Sequence, residues 1–207
     1  MAFAGIVVLG YLLGSCPWGY WLVKLIRHQD IREIGSGNIG ASNVFRSAGI
    51  SLGVPVIALD ILKGFVPALL GVIYVSHVCG IVAGGAAMIG HWRPLFLRFA
   101  KGGKMIATAG GTFLALAPFA AGSGVLLWIA VWTLFGFPSI ASIVATLFLP
   151  FASWVYGYPR PVIAFGAATF VAAVYLHRSN IDRLLHGQEN RSRIALLPRL
   201  RSALGAR

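Results

Sequence analysis

Charged side chains make up only 11% of this chain, against 58% hydrophobic ones, and that imbalance limits the possible folds more than any single motif. A soluble domain carries roughly 25% charged residues. With 207 residues and so few charges, no ordinary water-facing surface can be built. The mean hydropathy of +0.83 and the 26 glycines, well above a usual share of roughly 7%, fit closely packed helices in lipid. A soluble globular domain and a disordered chain are both excluded.

Seven apolar stretches are long enough, or nearly so, to cross a hydrocarbon core roughly 30 Å thick. They run over residues 2–25, 51–74, 77–97, 105–120, 124–137, 139–156 and 161–176. The expected fold is therefore all-α: a multi-pass integral membrane protein of seven transmembrane helices in a single domain, residues 1–207. The first stretch has no basic region before it and no convincing cleavage site, so it reads as a retained helix. Cys16 and Cys79 lie in apolar surroundings without metal-type spacing and read as small buried hydrophobes.

The net charge of +12 is explained by its placement. Lys24, Arg27, Arg32 and Arg46 belong to the first loop, Arg93, Arg98, Lys101 and Lys104 to the third, and seven more basic residues to the tail from Arg178 to Arg207. With seven spans these fifteen of the 17 basic residues share one side, Arg160 lies on the other and Lys63 lies within a span. Basic residues mark the cytoplasmic side, so the N-terminus is predicted outside and the C-terminus inside. The tail, about 178–207, reads as a basic cytoplasmic segment on anionic lipid, worth about 1 kcal/mol per basic residue near the surface. A pI of about 10.7 often means nucleic acid, but no soluble module is left to carry such a site. Membrane lipids and phosphorylated small molecules are the expected partners.

The first cytoplasmic loop reads Gly35-Ser36-Gly37-Asn38-Ile39-Gly40-Ala41-Ser42-Asn43-Val44-Phe45-Arg46. It matches G-x-G-x-x-G, yet no strand precedes it, so it is not read as a dinucleotide site. Clustered glycines such as Gly37 and Gly40 can turn backbone N–H groups toward an anion, and Ser36, Asn38, Ser42 and Asn43 add short polar groups. Arg46 supplies a guanidinium suited to bidentate phosphate binding. The competing explanation is that the loop simply packs and satisfies its own backbone.

In the third loop, Lys101-Gly102-Gly103-Lys104 precedes an apolar stretch. Two lysines and the N–H groups of a helix start can meet at one anion, although Met105 stands where a Walker A loop needs Ser or Thr. The topology brings both segments to the same face. His177 and Asn180, three apart after the last span, are candidate polar groups on one helix face. Ser139 and Ser142 are candidates for the same cleft or, alternatively, helix packing contacts. Asp60 and Lys63, inside the second span, form an i, i+3 pair that reads better as a self-neutralising ion pair than as catalytic groups. With five acidic residues and no paired-carboxylate or H-E-x-x-H motif, metal-dependent phosphoryl chemistry is not expected.

Gly35 to Asn43, Leu59-Asp60-Ile61-Leu62-Lys63-Gly64, Gly90-His91 with Lys101-Gly102-Gly103-Lys104, and His177-Arg178-Ser179-Asn180-Ile181, in this order, resemble the bacterial acyl-phosphate:glycerol-3-phosphate acyltransferase family. The likeness runs from Gly14-Ser15 to Arg183-Leu184-Leu185. Met105 replaces the glycine that usually ends Lys-Gly-Gly-Lys-Gly, Ala100 is a one-residue insertion, Ser42 stands where Thr is commoner and Ser179 where Glu is common. The resemblance implies a monomeric, multi-pass acyltransferase of the bacterial inner membrane with its active site facing the cytoplasm. It would move a fatty acyl group from acyl phosphate to the 1-hydroxyl of glycerol 3-phosphate, giving lysophosphatidic acid and phosphate, without metal or cofactor. It also implies phosphate binding by Ser36, Asn38, Asn43, Arg46 and Lys104, with His177 and Asn180 lining the polar end. The alternative is a small transporter for an organic phosphate, with Asp60 and Lys63 as its coupling groups.

Overall fold

The computed structural model describes residues 1–192 and Leu196. These residues are helical, with no strand among them. The chain divides into two compact units, Met1–Pro118 and Phe119–Arg207.

In the first unit, α1 (Ala2–Gly14) and α2 (Trp18–Arg27) form one apolar run of 26 residues. The break falls at Ser15-Cys16-Pro17, because Pro17 has no N–H to continue the helical ladder. A short α3 (Ala41–Ala48) follows, then the 25-residue α4 (Ile50–Tyr74), α5 (His77–Trp92) and α6 (Ile106–Leu116). Ser76 caps α5, its Oγ accepting from the Cys79 N–H at 3.1 Å, which satisfies one of the unpaired donors at a helix start.

α4 displays Val54, Ile57, Leu62, Val66 and Ile73 on its exposed side and buries Asp60 and Lys63. That is the reverse of a water-soluble helix and the arrangement expected against lipid. α1 lies along α5, with Gly10 and Gly14 against Ala83 and Ala87. A Cβ on either glycine would strike the carbonyl of the facing alanine. Small residues four apart let two backbones approach closely where no hydrophobic drive exists between helices in lipid.

The second unit contains α7 (Pro118–Phe135), α8 (Pro138–Val155), α9 (Arg160–Leu176) and α10 (Arg178–Leu185). Prolines sit in the first turns of α8 and α9, where the missing N–H removes nothing. α9 and α10 meet at His177 with a 57° bend.

The helices overlap the predicted apolar stretches without matching them throughout: the first stretch is broken at residues 15–17, and α5 ends at Trp92 instead of residue 97. Ala41–Ala48, read from sequence as loop, is the helix α3, opened by extended Gly40 and ended by Gly49 at φ +88°. The break between the fourth and fifth stretches falls at Ala117, before Pro118, instead of near residues 120–124. Among the described residues, four helical runs are long and apolar enough to cross a membrane, and α9 with α10 is a fifth if counted as one bent span.

The tail does not lie free as far as it is described. The Arg191 Nε donates to the Phe135 carbonyl at 3.0 Å and the Ser192 N–H to the Gly136 carbonyl at 2.7 Å, covering otherwise unpaired carbonyls at the end of α7. Arg193, Arg199, Arg201 and Arg207 of the predicted basic tail lie outside the described residues.

Gly14→Leu forces α1 away from α5, an overpacking penalty of about 1–3 kcal/mol. The expected result is a lower melting temperature of the detergent-solubilised protein, measured beside a Val8→Leu control at an exposed position of the same helix.

Candidate functional site

The first loop rests on a buried apolar cluster of Val23, Ile31, Ile39, Val44, Leu52 and Val56. Asn43, 2% exposed, organises it. Its Oδ1 accepts from the Ser36 N–H at 3.0 Å, and its Nδ2 donates to the carbonyls of Ile34 at 2.9 Å and Ile31 at 3.3 Å. Gly35 adopts φ +62°, and a Cβ there would collide with the Asn43 amide oxygen, so the turn requires glycine. Asn43 was expected among the phosphate groups; its amide is instead engaged within the loop. For Asn43 the packing explanation applies.

Ser36 exposes its side chain. Ser42 and Arg46 are both exposed on α3 while Asn43 and Val44 are buried, and their spacing of four puts them on one helix face. The first-turn N–H groups of Ala41 and Ser42 are donors that the helix itself does not use. Asn38 joins the two motifs. Its Oδ1 accepts from the Gly40 N–H at 2.8 Å, and its Nδ2 donates to the Gly102 carbonyl at 3.3 Å. The convergence predicted for the first and third loops is therefore a direct contact.

The Gly102 N–H donates to the Trp92 carbonyl and the Gly103 N–H to the His91 carbonyl, both at 2.9 Å. These two N–H groups satisfy the end of α5, whereas the helix start named from the sequence is that of α6 at Ile106. Lys101 is exposed and Lys104 half-buried just ahead of α6. Met105 adopts φ +68°, a conformation that favours glycine, which explains why the related pattern has glycine there. Arg98 and Phe99, just before Ala100, also have positive φ, 52° and 59°.

Below the loops, Lys63 Nζ lies 2.8 Å from Asp60 Oδ1, both side chains being 3% exposed. Lys63 also donates to the Cys16 carbonyl at 3.2 Å, an acceptor exposed by the break before Pro17. His91 Nδ1 is 3.7 Å from the same carboxylate oxygen. The pair neutralises itself, as its spacing predicted.

In the second unit, Asn180 Nδ2 donates to Glu189 Oε1 at 2.6 Å, Ser139 Oγ to the same oxygen at 3.0 Å, and Arg183 Nε to Oε2 at 2.7 Å. Sequence reading missed Glu189. The one available signal was an acid in a basic tail, two residues after Gly187. Ser142 does not accompany Ser139: its hydroxyl donates to the Pro138 carbonyl at 2.7 Å and accepts from Trp128 Nε1 at 3.1 Å, a tie between α7 and α8. His177, 3% exposed, has Nδ1 at 2.8 Å from the Ala173 carbonyl. A carbonyl only accepts, so this ring nitrogen carries a proton.

Burial pushes the Glu189 carboxyl up, but the hydrogen bonds from Asn180, Arg183 and Ser139 outweigh it and hold the group below the usual glutamate range. A folded value below the unfolded one stabilises the fold above the ordinary glutamate range and is lost as pH falls through the folded value. Glu189→Ala, which strands three donors, is expected to cost about 1–3 kcal/mol. Thermal melts from neutral to acidic pH are expected to fall more steeply in the wild type than in Glu189→Gln.

The chain matches the glycerol-3-phosphate acyltransferase family over residues 4–187. A glycerol-3-phosphate acyltransferase of Desulforudis audaxviator (strain MP104C) is 43% identical over 192 residues, 92% of this chain and 96% of the relative. One of Aquifex aeolicus (strain VF5) is 40% identical over 188 residues, covering 90% and 97%. The crystal structure of PlsY, an integral membrane glycerol 3-phosphate acyltransferase, in its glycerol 3-phosphate form superposes with a TM-score of 0.88 at 39% identity, covering 92% of this chain and 96% of that one. The lysophosphatidic acid form gives 0.85 at 38% identity, covering 92% and 95%. This chain is a membrane protein that belongs to the glycerol-3-phosphate acyltransferase family.

Proposed function

We propose that this protein transfers a fatty acyl group from acyl phosphate to the 1-hydroxyl of glycerol 3-phosphate, releasing lysophosphatidic acid and phosphate. Family membership supports the acceptor and product. The observation that carries the site is the hydrogen bond from Asn38 to the Gly102 carbonyl, which ties the segment leading to Arg46 to the segment leading to Lys104.

In this reading the Arg46 guanidinium, the Lys101 and Lys104 ammonium groups, the Ser36 and Ser42 hydroxyls and the N–H groups heading α3 hold phosphate. Gly37, Asn38, Gly40 and Asn43 shape the loop that presents them. Positive charge offsets repulsion between two phosphorylated substrates and stabilises the oxyanion that develops on the acyl carbon. Acyl phosphate is an activated mixed anhydride, so no covalent enzyme intermediate is needed. The hydroxyl oxygen bonds to the acyl carbon, the acyl carbon to phosphate oxygen bond breaks, and the hydroxyl proton ends on the released phosphate. His177 and Asn180 are the substrate-contact candidates of the second unit, and Ser142 supports that unit through its ties to Trp128 and Pro138.

The proposed topology has seven passages: α1 with α2, then α4 to α9, with the N-terminus outside and the C-terminus cytoplasmic. At 11 residues, α6 is about 16 Å long, so its passage relies on the buried Gly102–Gly103 segment before it. Irregular backbone is tolerated at membrane depth where protein covers it. The setting is the bacterial inner membrane, with anionic lipid around the basic face and a monomer as the working unit.

Purified protein given acyl phosphate and glycerol 3-phosphate is expected to release phosphate without added metal; turnover only with a thioester donor would reject the proposed donor. Arg46→Ala and Lys104→Ala are each expected to lose about tenfold or more in kcat/KM while the melting temperature holds. Full activity in both would refute their assignment.

A further inference from the structure

Gly103 meets His91 in two ways. Its N–H donates to the His91 carbonyl at 2.9 Å. Its α-carbon also lies so near the imidazole that an added Cβ would fall against Nε2. The ring is 4% exposed. On its other side, Nδ1 faces Asp60 Oδ1 at 3.7 Å, outside hydrogen-bond reach, and has no hydrogen-bond partner among the described residues. Asp60 is itself fixed by Lys63 at 2.8 Å. The imidazole is thus enclosed between a buried carboxylate and the backbone of a glycine pair.

Glycine pairs have the greatest backbone freedom of any dipeptide, so the backbone of Lys104, next in sequence, follows the path that Gly102 and Gly103 take. We infer that His91 is a positioning residue: oriented by the Asp60–Lys63 pair, its ring and carbonyl set the path of Gly102–Gly103 and hence the place of the Lys104 ammonium group. His91 does not touch substrate in this account. The inference rests on the reading of Lys104 as a phosphate-binding group, and it assigns the intramembrane ion pair a part in substrate affinity. Supporting groups of this kind act by holding a binding group in register, where a displacement near 1 Å is enough to be felt.

Steady-state kinetics on purified wild type, His91→Leu, His91→Asn and Gly103→Ala test this. His91→Leu and Gly103→Ala are each expected to raise the KM for a phosphorylated substrate about tenfold, with kcat within about threefold. His91→Asn, which keeps a polar group toward Asp60, is expected to recover most of the affinity. Should His91→Leu fail to fold, Gly103→Ala carries the test, because it removes no buried polar group. A wild type that does not turn over refutes the catalytic reading itself. An active wild type beside variants that lose only yield or kcat, with KM unchanged, overturns the positioning role.

Discussion

The contact between Lys63 and Asp60 in the middle of α4 organises the first unit. An ion pair at 2.8 Å with both side chains 3% exposed gains little net stability, because desolvation offsets the attraction. What it supplies is register. The Lys63 ammonium reaches the Cys16 carbonyl at the break between α1 and α2, and the Asp60 carboxylate faces His91 at the end of α5. Three helices must therefore meet at one depth. The first loop leaves α2 and the Lys101–Lys104 segment folds onto α5, so both phosphate-binding candidates start from this point.

The loops above it are rigid for ordinary reasons. Asn43 bridges Ser36, Ile31 and Ile34 over an apolar cluster, and the glycine pair pairs with carbonyls of His91 and Trp92. A membrane enzyme must keep irregular backbone satisfied without water, and here nearly every polar group near the turn does that work. The exposed polar side chains of α3 include the short hydroxyl of Ser42 and the guanidinium of Arg46, beside the exposed ring of Phe45; the two polar groups are suited to an anion.

Much of this was legible in the chain. The apolar stretches, the self-neutralising pair at Asp60 and Lys63, and the meeting of the two glycine-rich segments follow from hydropathy, spacing and charge placement. The helix α3 was not legible, since Ala41–Ala48 is short and rich in Ser and Asn, which read as loop until packing against Val23 and Val56 overrides propensity. Nor was the engagement of Asn43, Ser142, Gly102 and Gly103 by neighbouring backbone and side chains, because sequence shows which groups can bind and not which are already bound. Glu189 was missed for the same reason. Its partners Ser139, Asn180 and Arg183 are up to fifty residues away in sequence, and no local pattern announces such a contact. Met105 was legible as an oddity, and its left-handed backbone supplies the physical cause.

The central claim is that Asn38 brings a serine- and arginine-bearing helix start and the Lys101–Lys104 segment together as a phosphate site. A crystal structure of this protein soaked with glycerol 3-phosphate and with inorganic phosphate would test it most directly. The account predicts phosphate oxygens within hydrogen-bond distance of Lys104 and of Ser36, Ser42 or Arg46 in at least one of the two structures. Phosphate bound only in the second unit, with both glycine-rich segments untouched, would contradict it.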